Sequence, residues 1–444
     1  MSLHFRHTWQ RLRESLWFVP GLLVLGACGL AYGLITFDTR TSFNGAKRFP
    51  LLFGAGAEGS RGMLTAIAGS MLTVAALVFS LTLSTISQVS SQYSPRVLRN
   101  FMRDRGNQVV MGYFVGVFTY CLAVLGTIRS ADEQKFVPST AVLGGLVLAL
   151  GGVAALIYFI HHIAESLQTG TILHRISRET AHAIDELYPA GVGEPAAAPM
   201  PPPEYSAGRI QTVYAKKTGY VQQVDADALL DWATEHNVFV RLEQKVGAFV
   251  VEQDQLARLQ PDNPADQALS EDDIDGLRAC VTLALHRSIE QDVAFGLQQL
   301  VDIALKALSP GINDTTTGIM AVDHIGRLLQ QLAGRPFPAQ LRAKEDQPPR
   351  VLVDAADFDA YLRLAFDLVR INSKGNHALL LRLLRALART GHAACTAGRQ
   401  HAVAKQAKLL LELAEETLVT DYEKKAVQTL YAELQPSWEK ELVA

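Results

Sequence analysis

The sequence predicts a membrane α-helical protein in which four transmembrane helices are followed by a cytoplasmic small β domain and a C-terminal α-helical bundle. Three observations predict it. Four long stretches, Leu16 to Phe37, Gly62 to Ile86, Val109 to Ile128 and Ala141 to Ile160, contain no Asp, Glu, Lys or Arg. Each is long enough to cross about 30 Å of hydrocarbon as a helix. The apolar period then changes to two between about Tyr205 and Gln260, and it returns to helical spacing from Ser270 to Leu434.

The first stretch follows Arg6, Arg11 and Arg13, a flank that a secretory signal also has. The run is 22 residues long, no small-x-small cleavage site follows it, and three more spans come after. It reads as a true helix, giving a four-helix transmembrane domain over 1–160. Short-loop charge sets the orientation. Arg6, Arg11, Arg13, Arg96, Arg99, Arg103, Arg105, Arg175 and Arg178 fall on one side, against Arg40, Lys47, Arg48, Arg61, Arg129 and Lys135 on the other. With an even number of spans, both termini are expected in the cytoplasm.

Residues 161–188 contain no Pro before Pro189 and place Ile163, Leu167, Ile176, Thr180, Ile184 and Leu187 at near-helical spacing. A stalk helix continuing the fourth span is expected, about 40 Å long. Residues 189–204, PAGVGEPAAAPMPPPE, are a Pro and Ala linker with too few large apolar side chains to pack. A small β domain follows over 205–260: Ile210, Thr212 and Tyr214 alternate, Tyr220 to Val224 follows a Gly, and Val238 to Leu242 and Phe249 to Glu252 flank a turn at Lys245, Val246 and Gly247. Between these strands Ala226 to His236 reads as a helix capped by Asp225. An α-helical domain occupies 268–440, opened by the cap Ser270 with Asp273 three residues on, and broken at Ser309 to Asn313, Gly334 to Pro349 and near Gly375. Val351 to Val353 has the composition of a short strand.

Charge separates the two halves. Up to Tyr188 there are 15 Lys and Arg against 10 Asp and Glu, and beyond it 26 against 34. An acidic soluble part lacks the basic face that nucleic acid requires, whereas the basic membrane part suits anionic headgroups of the lipid bilayer. Cys28, Cys121, Cys280 and Cys395 form no CxxC or CxxH pattern, so neither a zinc site nor a disulfide framework is expected.

Four blocks carry a family resemblance: FSLTLSTISQVSSQYSPRVLRNFMRDRGNQ from Phe79, GYVQQVDADALLDWA from Gly219, VGAFVVEQDQLARL from Val246 and QDVAFGLQQLVDIALKALSPGIND from Gln291. Together they resemble a bacterial family of predicted integral membrane proteins, domain of unknown function 2254, and the resemblance brings no activity with it. Where the family pattern has Asn-Asp-Pro, this chain has Asn313, Asp314 and Thr315; Pro and Thr both suit the first position of a helix. The β stretch is similar to a barrel-sandwich hybrid of the biotinyl and lipoyl type. That resemblance would imply a modified Lys on a hairpin tip, but Lys216 and Lys217 lie in AKKTG, without the flanking residues of such a tip. No cofactor is expected.

Hydroxyl chemistry concentrates in the second span. Ten of the 29 residues from Met63 to Ser91 are Ser or Thr, and Thr73, Ser80, Ser84, Ser87 and Ser91 lie along one stripe of a helix. Such a stripe lines a water-filled path or lets helices approach closely. Beyond Pro95, Arg96, Arg99 and Arg103 recur at helical spacing; in a homo-oligomer they would ring a cytoplasmic mouth and concentrate anions, and in a monomer they would bind headgroups. Gly26, Gly29 and Gly33, Gly112 and Gly116, and Gly145, Ala149 and Gly152 mark further close contacts.

The remaining polar groups have ordinary structural readings beside functional ones. His161 and Glu165, one turn apart, with His162 between, could hold a metal or sense pH, or could face headgroups. Arg287, Glu290, Asp292 and Asp302 suit an internal ion pair. Pro310 and Gly311 make a turn, with Asn313 or Asp314 capping the helix from Thr315. No HExxH, GxSxG or P-loop is present, and no metal site or catalytic residue is assigned, so the chain reads as a non-enzyme. A homo-oligomeric pore with a cytoplasmic gating or docking domain is the leading expectation. A non-catalytic sensor or scaffold for a soluble partner is the alternative, and neither the ion nor the soluble partner is specified.

Overall fold

A computed structural model describes residues 17–41, 56–92, 104–129, 136–189, 210–263, 267–338, 340–344, 348–353 and 357–438. The chain divides into two compact units, Met1–Thr171 and Ile172–Ala444.

The first unit holds four helices: α1 (Phe18–Thr41), α2 (Gly56–Gln92), α3 (Arg105–Leu125) and α4 (Ser139–Ser166). All four are long and apolar enough to cross a membrane. All four begin or end beyond the charge-free runs, because a helix terminus tolerates a charge that can reach water or a partner. Helix α3 is the hub, packing against α1, α2 and α4. It contributes Val110, Phe114, Val117, Tyr120, Cys121 and Val124 to a core that also takes Leu64, Ala68, Met71, Ala75 and Val78 from α2. Glycines set the close approaches. A Cβ on Gly112 would meet Cα of Pro20 at 2.7 Å, one on Gly145 would meet Leu64 at 2.8 Å, and one on Gly144 would meet the Tyr120 hydroxyl at 2.6 Å.

Residues 161–188, expected as one stalk, divide at Leu167 and Gln168 into the end of α4 and a separate helix α5 (Thr169–Leu187). Ile172, Leu173, Ile176, Thr180 and Ile184 of α5 are buried, which makes it a core helix of the second unit over most of its length. A free stalk would have left this apolar stripe in water, and burying it contributes about 2 kcal/mol per large side chain.

The second unit has two small sheets. One runs β1 (Gln211–Tyr214), β5 (Gln255–Pro261), β3 (Val238–Leu242), β8 (Val351–Val353), β7 (Leu341–Arg342). The other runs β4 (Phe249–Val250), β2 (Gly219–Val224), β6 (Val281–Ala284). The β part is therefore completed by three strands from beyond residue 260, and β8 pairs with β3 in parallel, Val240 opposite Val351. Helix α6 (Ala226–Glu235) is capped by Asp225, and α7 (Glu271–Ala279) by a reciprocal Ser270 and Asp273 capping box.

The rest is helical: α8 (Val293–Leu308), α9 (Thr315–Ala333), α10 (Phe358–Ile371), α11 (His377–Ala393), α12 (Ala397–Thr417) and α13 (Asp421–Leu434). Helix α9 lies beside α5 and runs in the same direction. Arg327 donates to Ser177 Oγ at 3.2 Å, Gln331 to the Ala181 carbonyl at 3.3 Å, and Arg335 pairs with Asp185, so the partners keep a constant offset along both helices.

Candidate functional site

The second span is the feature to which the sequence points, and its geometry gives that helix two faces. Leu64, Ala68, Met71, Ala75 and Val78 are buried. At 100° per residue, Thr73, Ser80, Ser84 and Ser87 lie about 180° away from them on the helix. All four are exposed on the single chain. Gly62 and Gly69 fall on the same outward stripe, and a Cβ on either would meet nothing within 4 Å among the described residues. Thr73 donates its hydroxyl to the Gly69 carbonyl at 2.9 Å, which lets a hydroxyl sit at low cost in an apolar setting. Ser91 lies on the same helix, but its side chain is outside the described residues, as are Arg96, Arg99 and Arg103.

The small residues of the other spans separate in the same way. Gly112, Gly116, Gly145 and Gly152 seat neighbours within the chain, whereas a Cβ on Gly26, Gly29 or Gly33 of α1 would meet nothing within 4 Å among the described residues. Half of the membrane unit's glycine signal thus builds the bundle, and the other half faces away from it.

One carboxylate in this unit escaped the sequence reading. Asp38 sits in the last turn of α1, beyond the charge-free run, and is buried. One of its oxygens accepts from the backbone N–H groups of Thr140 at 3.0 Å and Ala141 at 3.1 Å, capping α4 across about 100 residues of chain. No local pattern announces such a cap, because its partner is distant in sequence. Asp104, the N-cap of α3, hydrogen-bonds with His162 Nε2 at 3.0 Å, and the His162 ring stacks on Tyr158. His161 instead faces Glu165 at 3.6 Å, both exposed. The trio His161, His162 and Glu165 is thereby split, and no group of three or more metal-ligating side chains is present among the described residues.

In the second unit Arg287 and Asp292 form the expected internal ion pair, with Arg287 Nε donating to Asp292 at 2.7 Å. Asp292 also caps α8 through Phe295 N–H, and the Arg287 guanidinium lies 4.9 Å from the Phe295 ring centre. The hairpin turn of the β part closes over this pair. Gly247 has φ +88°, and a Cβ there would meet Asp292 at 2.5 Å. Asp302 accepts instead from Gln298, at 2.9 Å, and is not part of this pair. Tyr188 and Tyr361 share a buried hydroxyl contact at 2.8 Å, and burial raises both above the ordinary tyrosine value.

Lys216 is held by Asp275 at 2.8 Å and Glu271 at 3.2 Å. These hydrogen bonds, that to Asp275 first, raise its ammonium above the ordinary lysine value. Pro310 and Gly311 form an exposed turn, and of the two candidate caps it is Asp314 that holds α9, through Thr317 N–H at 3.0 Å. The Thr317 contacts hold the Asp314 carboxyl below the usual carboxylate range. Asn313 has φ +49°, the left-handed region that Asn tolerates. Gly54, Gly56 and Gly59 have the spacing of a dinucleotide-binding loop, but the latter two open an apolar helix of membrane-spanning length.

Residues 13–389 match the family model described as predicted membrane protein (DUF2254). The chain belongs to that family. Two relatives are similar over most of its length: the uncharacterized protein MT1328 of Mycobacterium tuberculosis and the uncharacterized protein Mb1321c of Mycobacterium bovis. Each is 31% identical over 407 residues, covering 91% of this chain and 77% of the relative. No solved structure matches. It is a predicted membrane protein with four candidate spans, and the family supplies no reaction or ligand.

Proposed function

We propose that this DUF2254 protein is a non-enzymatic, homo-oligomeric pore of the bacterial inner membrane, with both termini and the second unit in the cytoplasm, where that unit gates the pore or docks a soluble partner. One observation carries the reading: the hydroxyl stripe Thr73, Ser80, Ser84 and Ser87 is exposed on the face of α2 opposite the bundle core. Packing among the described residues does not account for it. In a lone chain these hydroxyls would face hydrocarbon, whereas in a ring of copies they would face one another across an axis and hydrate it. Arg96, Arg99 and Arg103 would follow at the cytoplasmic mouth and favour anions.

A second reading has its own support. Gly62 and Gly69 on the same stripe suit direct helix contact between copies, which would make a closed scaffold or sensor rather than an open path. Planar-bilayer recording of purified protein separates the two. The pore reading predicts currents whose reversal potential in a salt gradient shifts toward cation preference in Arg99→Glu. Silent bilayers containing correctly inserted oligomer would move the scaffold ahead.

A further inference from the structure

We propose that one end of the C-terminal helical bundle is a lipid-docking surface, built from the turns that carry Ile312, Ile371, Val419 and Tyr422. Three interhelical turns meet at this end. Asn376 Nδ2 donates to Thr315 Oγ1 at 2.8 Å, and Gly375 N–H donates to Thr417 Oγ1 at 3.1 Å, which ties the α10–α11 turn to both the α8–α9 and the α12–α13 turns. Each turn holds an apolar side chain out into solvent: Val419 is 89% exposed, Tyr422 80%, Ile312 46% and Ile371 45%. The SPGIND turn is shaped to do so. Ile312 and Asn313 N–H both donate to the Ser309 carbonyl, and the positive φ at Asn313 turns the chain back into α9 with Ile312 at the tip.

The position of this end identifies its occupant. Helices α5 and α9 run in the same direction with paired residues Ser177 and Arg327, Ala181 and Gln331, and Asp185 and Arg335. By that register, Thr315 lies about one helical turn beyond Thr169, at the end of the bundle where α5 begins. Only Leu167 and Gln168 separate α5 from α4, the fourth candidate span. Three Cα steps reach about 11 Å, and α4 extends six residues, about 9 Å, past the apolar run ending at Ile160. The apolar turns therefore belong to the end of the bundle at which the chain arrives from α4, with at most about 20 Å of chain between the end of the apolar run and Thr169. The interfacial zone is where a Tyr with neighbouring aliphatic side chains is most stable.

Lys306 and Lys374 are exposed at this end, and so are Asp314, Glu416 and Asp421. There is no basic excess, so the docking is apolar and needs no anionic lipid. The proposal rests on α4 being a span, and its test separates the two. Full-length protein in phosphatidylcholine vesicles carries a nitroxide at Ile312→Cys or Val419→Cys, with Cys28 and Cys395 replaced. Wild-type Cys395, at the opposite end of α9 beside Ala333, serves as the distant reference in a chain lacking Cys28. Relaxation by dissolved oxygen relative to a water-soluble nickel complex is expected to be about threefold higher at 312 and 419 than at 395, and unchanged in molar salt. Ratios equal to that at 395, exclusion of both relaxers by a covering protein, or loss of the effect in salt would overturn the proposal. A nitroxide at Leu150→Cys reports on the span itself. Access of the nickel complex there would defeat the membrane reading, whereas exclusion there with 312 behaving like 395 defeats only the docking surface.

Discussion

The glycines of α3 and α4 face neighbours within the chain, and those of α1 and α2 face away from the described residues. Gly112 and Gly145 leave no room for even a methyl group, because Pro20 and Leu64 already occupy the space. A Cβ on Gly26, Gly33, Gly62 or Gly69, in similarly apolar helices, would meet nothing within 4 Å among the described residues. The difference shows that small-residue spacing marks a contact without saying whose. In α3 and α4 the partner is the chain itself, and in α1 and α2 the described residues supply none.

Substitutions at the two kinds of position should part sharply. The largest effect is expected in the second unit, which supplies a further contrast because it buries an ion pair where the membrane unit buries small residues. Arg287→Ala leaves Asp292 buried and uncompensated, and should cost about 3 kcal/mol in denaturant titration; Gly247→Val, which pushes a side chain at the same pair from a positive φ, should also destabilise. Next, Gly145→Leu overpacks against Leu64, and a loss of about 1–3 kcal/mol should appear as early thermal unfolding in detergent. Gly26→Leu and Gly69→Leu should leave that unfolding unchanged while weakening association measured by cross-linking in native membranes. Asp38→Ala removes the cap on α4 and should cost about 1 kcal/mol.

The smallest effect is a pH dependence confined to the second unit. Burial first, then His174 and Arg327, holds His324 below the ordinary histidine value, while Asp323 opposes. Its folded form therefore binds fewer protons than the unfolded chain. Stability present above the unfolded histidine value should decline as pH falls through that value toward the lower folded one. His324→Gln should flatten this slope, and an unaltered slope would exclude His324 as its source.

Much of this organisation was legible because it is local. The spans show as charge-free runs, and the caps Asp225, Ser270 and Asp314 act within three residues of themselves. What the sequence concealed depends on distant partners. Asp38 caps a helix about 100 residues away, β6 and β8 join strands from another stretch of chain, and α5 looks like an extension of α4 until its apolar stripe finds a core. The hydroxyl stripe itself was readable from spacing, but its direction was not. Only the positions of Leu64, Met71 and Val78 against α3 and α4 reveal that it points away from the bundle.

The central claim is that this outward stripe faces water within an assembly of copies. It is tested most directly by the reactivity of Ser84→Cys, compared with Phe79→Cys, toward a membrane-impermeant thiol reagent in reconstituted bilayers. Phe79 is also exposed on the single chain but lies about 140° around the helix from Ser84. The account predicts that Ser84→Cys is modified while Phe79→Cys is spared; protection of both, or preferential modification of Phe79→Cys, would contradict it.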